Sequence, residues 1–597
     1  MFTWTDRELN PEQSEAVKLP SSVFLIACPG SGKTRTLTYK IAYELSRLDS
    51  ERRFVVAITY THRAADEIQE RIENLGVDTS RLWIGTIHSF CLEWIIKPYG
   101  IYDPALAHGY SVIDQHEREK LLERLCIPYK AQRVSYYDCD YYFTDDGYYL
   151  GCPNHGKHPI IQSVLAEYFS ILAENRQIDF ELILRYASKL MRAKPVIGAL
   201  LSKVFEVILV DEYQDTKRIQ YGIVASILRA GEGETRLFMV GDPNQAIYGS
   251  LGGYPIDITE LRQMTGILIT ERQLSQNYRS SSRIIEFFGN FNVYNTTINP
   301  AGTERHYQSL VSYDKEVRRE NLVHEIARLI RHSVEALGVP PHEICVLAPQ
   351  WVHLATMTRQ LVAQMPDYDF DGPGMVPFAR DTENFWYKLS RIALTEPSPT
   401  IYVRRLRWAG EVIGDLQDAG VEISGLTRKA LLRECNATLV DEADGLNFLR
   451  CFFAELFQRL GVQINDFAQL REHHRAFFES SEVRIARLES EGVNDIRDIA
   501  FFRKVFQNRS GVTVSTIHGV KGAEFDVVIA YALLEGMVPH FNDVDGDASA
   551  RKLLYVIGSR ARKNLHLFSE TGRRRGHYDL YGPTQRLAAC EFDYDDA

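Results

Sequence analysis

"SSVFLIACPGSGKTRTLTYKIAYEL", residues 21–45, decides the fold. Val23 to Ile26 read as a buried strand, residues 27–34 as a small-residue turn, and "TRTLTYKIAYEL" as a helix. A glycine-rich turn between strand and helix is the setting that a phosphate-binding P-loop requires. The backbone amides of Gly30, Ser31 and Gly32 would cradle phosphates at the positive end of the helix. Lys33 would reach the β and γ phosphates of a nucleotide, and the Thr34 hydroxyl would bind Mg²⁺. Ala27 stands where the strict pattern has Gly, and Pro29 stiffens the turn. Neither removes a needed amide as long as Pro29 sits off the phosphate face.

A P-loop needs an acidic partner, and "ILVDEYQDT" (208–216) supplies one. Ile208, Leu209 and Val210 suit the interior of a parallel sheet, and Asp211, Glu212, Gln214 and Asp215 follow at its end. By itself such a cluster is most often a solvated loop. Beside a P-loop, Asp211 would hold the Mg²⁺ and Glu212 would orient and deprotonate the attacking water. Gln214 and Asp215 are left for coupling.

The chain has 597 residues, too many for one core, so several domains are expected. A hydrophobic fraction of 45% and a charged fraction of 25% are those of an ordinary soluble protein. There is no apolar run of membrane-spanning length and no signal-peptide pattern, which gives a cytoplasmic expectation. Nine scattered cysteines read as free thiols in a reducing compartment. The net charge of −11 neither indicates nor excludes nucleic-acid binding, because a local basic groove counts for more than the sum.

Further segments stand in order along the chain: "LNPEQSEAV" (9–17), "VVAITYTHRAADEIQERIENLG" (55–76), "GTIHSF" (85–90), "VGDPNQAIYG" (240–249), "LSQNYRSS" (274–281), "VSTIHGVKGAEFDVVI" (514–529) and "LLYVIGSRAR" (553–562). Together they resemble the UvrD/Rep/PcrA family of superfamily 1A DNA helicases. The resemblance implies an α/β fold: two RecA-like domains in tandem, the first carrying the P-loop, each with a mainly helical insertion. The first core would be 1–90 plus 185–272 with an insertion at 91–184. The second would be 273–371 plus 510–597 with an insertion at 372–509. Periodicity agrees, since "EICVLA", "VVIAYA" and "NLHLF" read as strands and 426–506 reads as helices.

The resemblance also implies roles. Gln13 would read adenine, Tyr278 would pack on it, and Arg35 would lie near the base. Arg279 and Arg560 would be arginine fingers, and Gln245 a γ-phosphate sensor. Glu524 and Gly522 would lie near the ribose. ATP and Mg²⁺ are the implied cofactors. Tyr60, Thr61, Arg63, His88 with Ser89, Tyr248, Thr516 and His518 would face single-stranded DNA, where backbone contacts and ring stacking are wanted.

Departures from the family pattern cluster on the DNA side. Ser250 and Leu251 stand where an aromatic and an Arg are usual, Pro349 replaces an Arg, and Ser549 and Ala550 replace an acidic pair. Tyr248 or Tyr254 is the candidate to compensate. ATP hydrolysis is therefore better supported than processive unwinding.

The implied function is a 3′-to-5′ single-stranded-DNA translocase and helicase acting at strand junctions. The alternative is the motor subunit of a helicase–nuclease or defence complex with the nuclease on a separate chain, because about 35 residues after Arg562 are too few for a nuclease domain. A nuclease or repair protein is then the partner class, and no membrane is involved. Cys139, Cys152, His155 and His158 invite a zinc reading, but without a Cys-x-x-Cys pair a tyrosine-rich surface loop at 135–158 is the better expectation. "GRRRGH" (572–577) reads as a solvated basic loop.

Overall fold

The computed structural model describes the chain apart from residues 1, 145–146, 373–375, 379–380, 382–383, 424, 491–494, 508–509, 542, 544, 576–578 and 597. Two six-stranded parallel sheets organise it. In the first, the strand order is Ile269–Leu274, Ser22–Ala27, Arg236–Gly241, Phe205–Asp211, Phe54–Thr59 and Leu82–Thr86. Strands such as "FVVAIT" and "FEVILVD" are apolar through most of their length because helices cover both faces. On one face, Leu37 and Ile41 of helix Lys33–Ser46 and Ile68 and Ile72 of helix His62–Asn74 pack on Val23, Leu25, Val55 and Leu209. On the other, Phe24, Val56, Ile208 and Val210 share a core with Phe90, Ile183 and Ile227. That core continues unbroken into Leu122, Ile161, Val164 and Tyr168 of the helices within residues 91–184.

The second sheet runs Val311–Asp314, Ala561–Phe568, Phe525–Ala530, Ile344–Ala348, Val512–Thr516 and Phe370–Asp371, again all parallel. Helices Ser282–Gly289 and Gly546–Arg560 cover one face, through Ile284, Phe288, Leu554 and Ile557. Helices Leu322–Arg331 and Trp351–Gln364 cover the other, through Ile326, Ile330, Leu354 and Leu361. The three stretches read as strands from the sequence all belong to this sheet.

Between Phe370–Asp371 and Val512–Thr516 the chain forms helices around an aromatic core of Trp386, Trp408, Phe453, Phe457, Phe477 and Phe502. Asp444 caps helix Gly445–Leu460 by accepting from Asn447 N–H, and Gly461 at φ +68° ends it. Helix Tyr402–Asp418 lies on helix His62–Asn74, with Arg404 and Arg407 paired to Glu70 at 2.8 Å and Asp66 at 3.1 Å.

Residues 135–158 are not a loop. Tyr141–Thr144 and Gly147–Leu150 pair as an antiparallel hairpin, with Tyr141 and Phe143 buried. The alternation of inward and outward rings is that of a half-buried strand. The hydroxyls of Tyr141 and Tyr168 both donate to Asp179, at 2.6 and 2.8 Å. Cys139 Sγ lies 3.7 Å from Cys126 Sγ, and Cys152 Sγ lies 3.6 Å from an Asp138 oxygen. His158 Nε2 sits 2.7 Å from the Cys152 carbonyl, with the His155 ring 4.7 Å from the His158 ring. Of the basic run at 572–577, Gly576 and His577 lie outside the described residues.

Candidate functional site

The loop after strand Ser22–Ala27 turns through Gly30 at φ +67° and Gly32 at φ +77°, left-handed values that only glycine adopts without strain. Space demands glycine as well: a Cβ on Gly30 would meet Arg279 Cβ at 2.6 Å, and one on Gly32 would meet Gln13 Nε2 at 2.7 Å. Ser31 Oγ donates to the Cys28 carbonyl at 2.7 Å and closes the turn. Gln13 is buried against it, donating to the Ser31 carbonyl at 2.8 Å and accepting from Asn10 N–H at 2.9 Å. Lys33 and Thr34 begin the helix, and Arg35 lies exposed with a guanidinium nitrogen 3.5 Å from the Glu8 carbonyl.

Asp211 ends the neighbouring strand but one, and Glu212 follows at φ +50°. A non-glycine residue there costs about 1–3 kcal/mol, so its surroundings must hold it. Glu212 N–H donates to Asp211 Oδ1 at 3.0 Å, and Gln214 Nε2 donates to the Glu212 carboxylate. Lys33 Nζ stands 3.7 Å from Glu212 Oε1. Burial and the adjacent Glu212 push the Asp211 carboxyl above its ordinary range. Against its own burial penalty, Glu212 is held below that range by Lys33 and Lys521. Asp242, wholly buried, adds a third carboxylate and is itself raised by burial.

The second sheet's side brings cations to this cluster. Arg560 is 1% exposed; its Nη2 donates to Gln245 Oε1 at 2.8 Å, while Gln245 Nε2 donates to Asp242 Oδ2 at 2.8 Å. Burial, then the nearby Arg279, pushes Arg560 down to about 9, so it stays charged at neutral pH. Arg279 Nε donates to Glu524 at 2.6 Å and its Nη1 to the Ser559 carbonyl at 2.8 Å. Asn277 Nδ2 donates to the Pro29 carbonyl at 2.8 Å, and Tyr278 N–H to the Gly30 carbonyl at 2.9 Å. The half-exposed Tyr278 ring has its hydroxyl 2.8 Å from Asn10 Nδ2. Gly522, at φ +85°, turns the chain toward Glu524.

The residues assigned to the DNA side divide into two groups. The Tyr60 and Tyr248 rings stack at 5.2 Å, and the Tyr248 ring lies 5.4 Å from the His518 ring. His518 Nε2 is 3.2 Å from the Ile247 carbonyl. Thr61 caps helix His62–Asn74 by accepting from Ala64 N–H at 3.2 Å, and Thr516 accepts from Gly519 N–H at 2.9 Å. Ser89 shares a 3.1 Å contact with the Thr86 hydroxyl, and the His88 ring sits edge-on to Phe180. A cavity of about 1240 Å³ joins Tyr60, Thr61, Arg63 and His88 to Ser515 of the second sheet and to Arg391, Arg404 and Trp408 of the helical region. Leu251 is exposed, its N–H donating to the Tyr248 carbonyl at 3.0 Å, and Ala550 is buried in helix Gly546–Arg560.

Two residues of the cluster, Asp242 and Lys521, had no assigned role in the sequence. Lys521 Nζ lies 2.6 and 2.5 Å from the two Asp215 oxygens and 2.8 Å from the Gln245 carbonyl. The position of Lys521 in "HGVKGAEF", within a segment that carries the family resemblance, was the available signal. Lysines are mostly solvated, and its partner is 306 positions away.

Residues 9–265 match the UvrD/REP helicase N-terminal domain and residues 453–571 the UvrD-like helicase C-terminal domain. The ATP-dependent DNA helicase PcrA of Bacillus subtilis (strain 168) is 26% identical over 94% of this chain and 82% of its own length. PcrA of Staphylococcus aureus (strain MRSA252) is 23% identical over 95% of this chain and 83% of its own length.

Proposed function

We propose that this chain, a member of the UvrD/REP helicase family and so an ATP-dependent DNA helicase, is a single-stranded-DNA translocase that hydrolyses ATP between its two sheets and moves 3′ to 5′. The two sheets are taken as motor cores, 1–90 plus 185–272 and 273–371 plus 510–597, with 91–184 and 372–509 as the insertions. The observation that carries the reading is the continuous line Arg560–Gln245–Asp242, which joins the second sheet's guanidinium to the acids beside the P-loop.

ATP phosphates fit the amides of Gly30, Ser31 and Gly32 and the Lys33 ammonium. An oxygen-only donor pair, the Thr34 hydroxyl and the Asp211 carboxyl, would fit Mg²⁺, which would neutralise phosphate charge there. Glu212, held ionised, accepts the proton of the attacking water. Arg279 and Arg560 face the charge that develops on the transferring group, with Gln245 fixing the reach of Arg560. Tyr278, Gln13 and Arg35 serve the base, and Glu524 and Gly522 the ribose. The Tyr60–Tyr248 pair would part to accept a nucleobase, with Thr61, Arg63, His88, Thr516 and His518 along the strand.

The test is steady-state ATP hydrolysis with and without oligo-dT, followed by unwinding of duplexes carrying a 3′ or a 5′ tail. Hydrolysis should rise strongly with oligo-dT, and Glu212→Gln should lower it by about 10²–10⁴-fold. Hydrolysis indifferent to the strand, or preference for the 5′ tail, would overturn the reading.

A further inference from the structure

Lys521 occupies a place that a solvated lysine would not. It sits on the second-sheet side, within the turn that follows strand Val512–Thr516. Its side chain is 9% exposed and its partner Asp215 only 1%. The ammonium bonds both Asp215 oxygens and the Gln245 carbonyl, and lies 4.9 Å from the centre of the Tyr248 ring. Asp215 follows Glu212 and Gln214 in one 3₁₀ turn, and Gln214 in turn bonds Glu212 and accepts from Asp242 N–H at 3.0 Å. One charge thus touches the loop of the catalytic carboxylate, the backbone of the γ-phosphate sensor and the ring assigned to the DNA strand.

Three partners of different kinds compete for one ammonium, and that is what makes a coupling part. The carboxylate is fixed in a buried turn, while the ring is stacked on Tyr60 and is the element a nucleobase would displace. When the ring moves, the ammonium loses its cation–π partner and its remaining bonds to Asp215 and Gln245 must readjust. We propose that Lys521 is the positioning residue through which occupancy of the strand path at Tyr248 is transmitted to Glu212 and Gln245. This rests on the proposed DNA-stimulated hydrolysis and adds the identity of the part that links the two sites.

The experiment is the ratio of ATP turnover with saturating oligo-dT to turnover without it, in wild type, Lys521→Met, Lys521→Arg, Tyr248→Leu and the Lys521→Met/Tyr248→Leu double variant, with thermal unfolding of each. Lys521→Met should reduce the ratio by about tenfold, within the usual size of a coupling effect, while KM for ATP moves far less. Lys521→Arg, which keeps the charge and the ring contact, should restore most of the ratio. The double variant should lose no more than the worse single one. If Lys521→Met leaves Asp215 too costly to bury and does not fold, Lys521→Met/Asp215→Asn removes both charges and should show the same fallen ratio. Loss of turnover with the ratio intact in a folded variant would mark a merely structural lysine and overturn the proposal, as would additive losses in the double variant. Wild-type turnover that ignores oligo-dT would sink both this proposal and the function it rests on; stimulated wild type with an undiminished Lys521→Met ratio sinks this one alone.

Discussion

The two sheets are alike in size and direction and opposite in what they present. In the first, the strand next to the edge is Ser22–Ala27, whose C-terminal end opens into the P-loop and Lys33. In the second, the same slot is filled by Ala561–Phe568, and Arg560 stands at its N-terminal end. One sheet offers carboxylates and a glycine-rich turn at strand ends; the other offers the Arg560 guanidinium at a strand start. Neither set is a complete site. On the proposed function, hydrolysis would therefore depend on how the two halves meet.

Removing the cation of the second sheet tests this division most severely. Arg560→Ala should lower ATP turnover by about 10³-fold or more, the ordinary worth of an arginine finger. Arg560→Lys should recover little, because one ammonium cannot replace the fork that reaches Gln245, Ser559 and Ala523 together. Turnover near wild type in Arg560→Ala would mean the first sheet works alone. A smaller effect is expected at the ring proposed to meet the DNA strand. Tyr248→Ala should weaken oligo-dT binding, measured by fluorescence anisotropy, by about 1–3 kcal/mol.

The contact between halves can also be strained directly. Gly30→Ala would place a methyl carbon 2.6 Å from Arg279 Cβ, in a left-handed backbone. A loss of about 1–2 kcal/mol in denaturant unfolding is expected, with a raised KM for ATP. The smallest effect belongs to the second sheet's interior. Burial pushes His566 down to about 4, and its Nδ1 lies 2.7 Å from Ser312 Oγ. Between pH 6.5 and 4 the unfolded chain binds the proton that the folded chain refuses, so this contribution to stability falls as pH falls through that window. The midpoint of thermal unfolding should drop by a few degrees from pH 7.5 to pH 5, and His566→Gln should flatten that dependence.

Much of this was legible in the sequence because its causes are local. The P-loop is fixed by adjacent small residues between a strand and a helix, and Asp211 with Glu212 by an apolar run that ends on acids. The helices at 426–506 follow from regular apolar spacing. The hairpin at 141–150 carried its signal in alternating rings, hidden by its tyrosines, which serve surface and core equally well. Beyond the arginines and Gln245 that the resemblance supplied, what spans the molecule was illegible. Lys521 and Asp215 are separated by 306 positions, and nothing in either neighbourhood announces the pair. The engagement of Gln13 with Ser31 and Asn10 is likewise a property of the folded turn.

The bonds from Asn277 to Pro29 and from Tyr278 to Gly30 have a mechanical meaning. They lie where the chain leaves the edge strand of the first sheet and crosses to the second, so the crossing is pinned to the nucleotide loop itself. A pinned crossing is a fulcrum. On the proposed function, rotation about it would displace nearby groups such as Arg279 least, and a small shift at the phosphates would become a longer stroke along DNA, with leverage set by distance from Pro29 and Gly30.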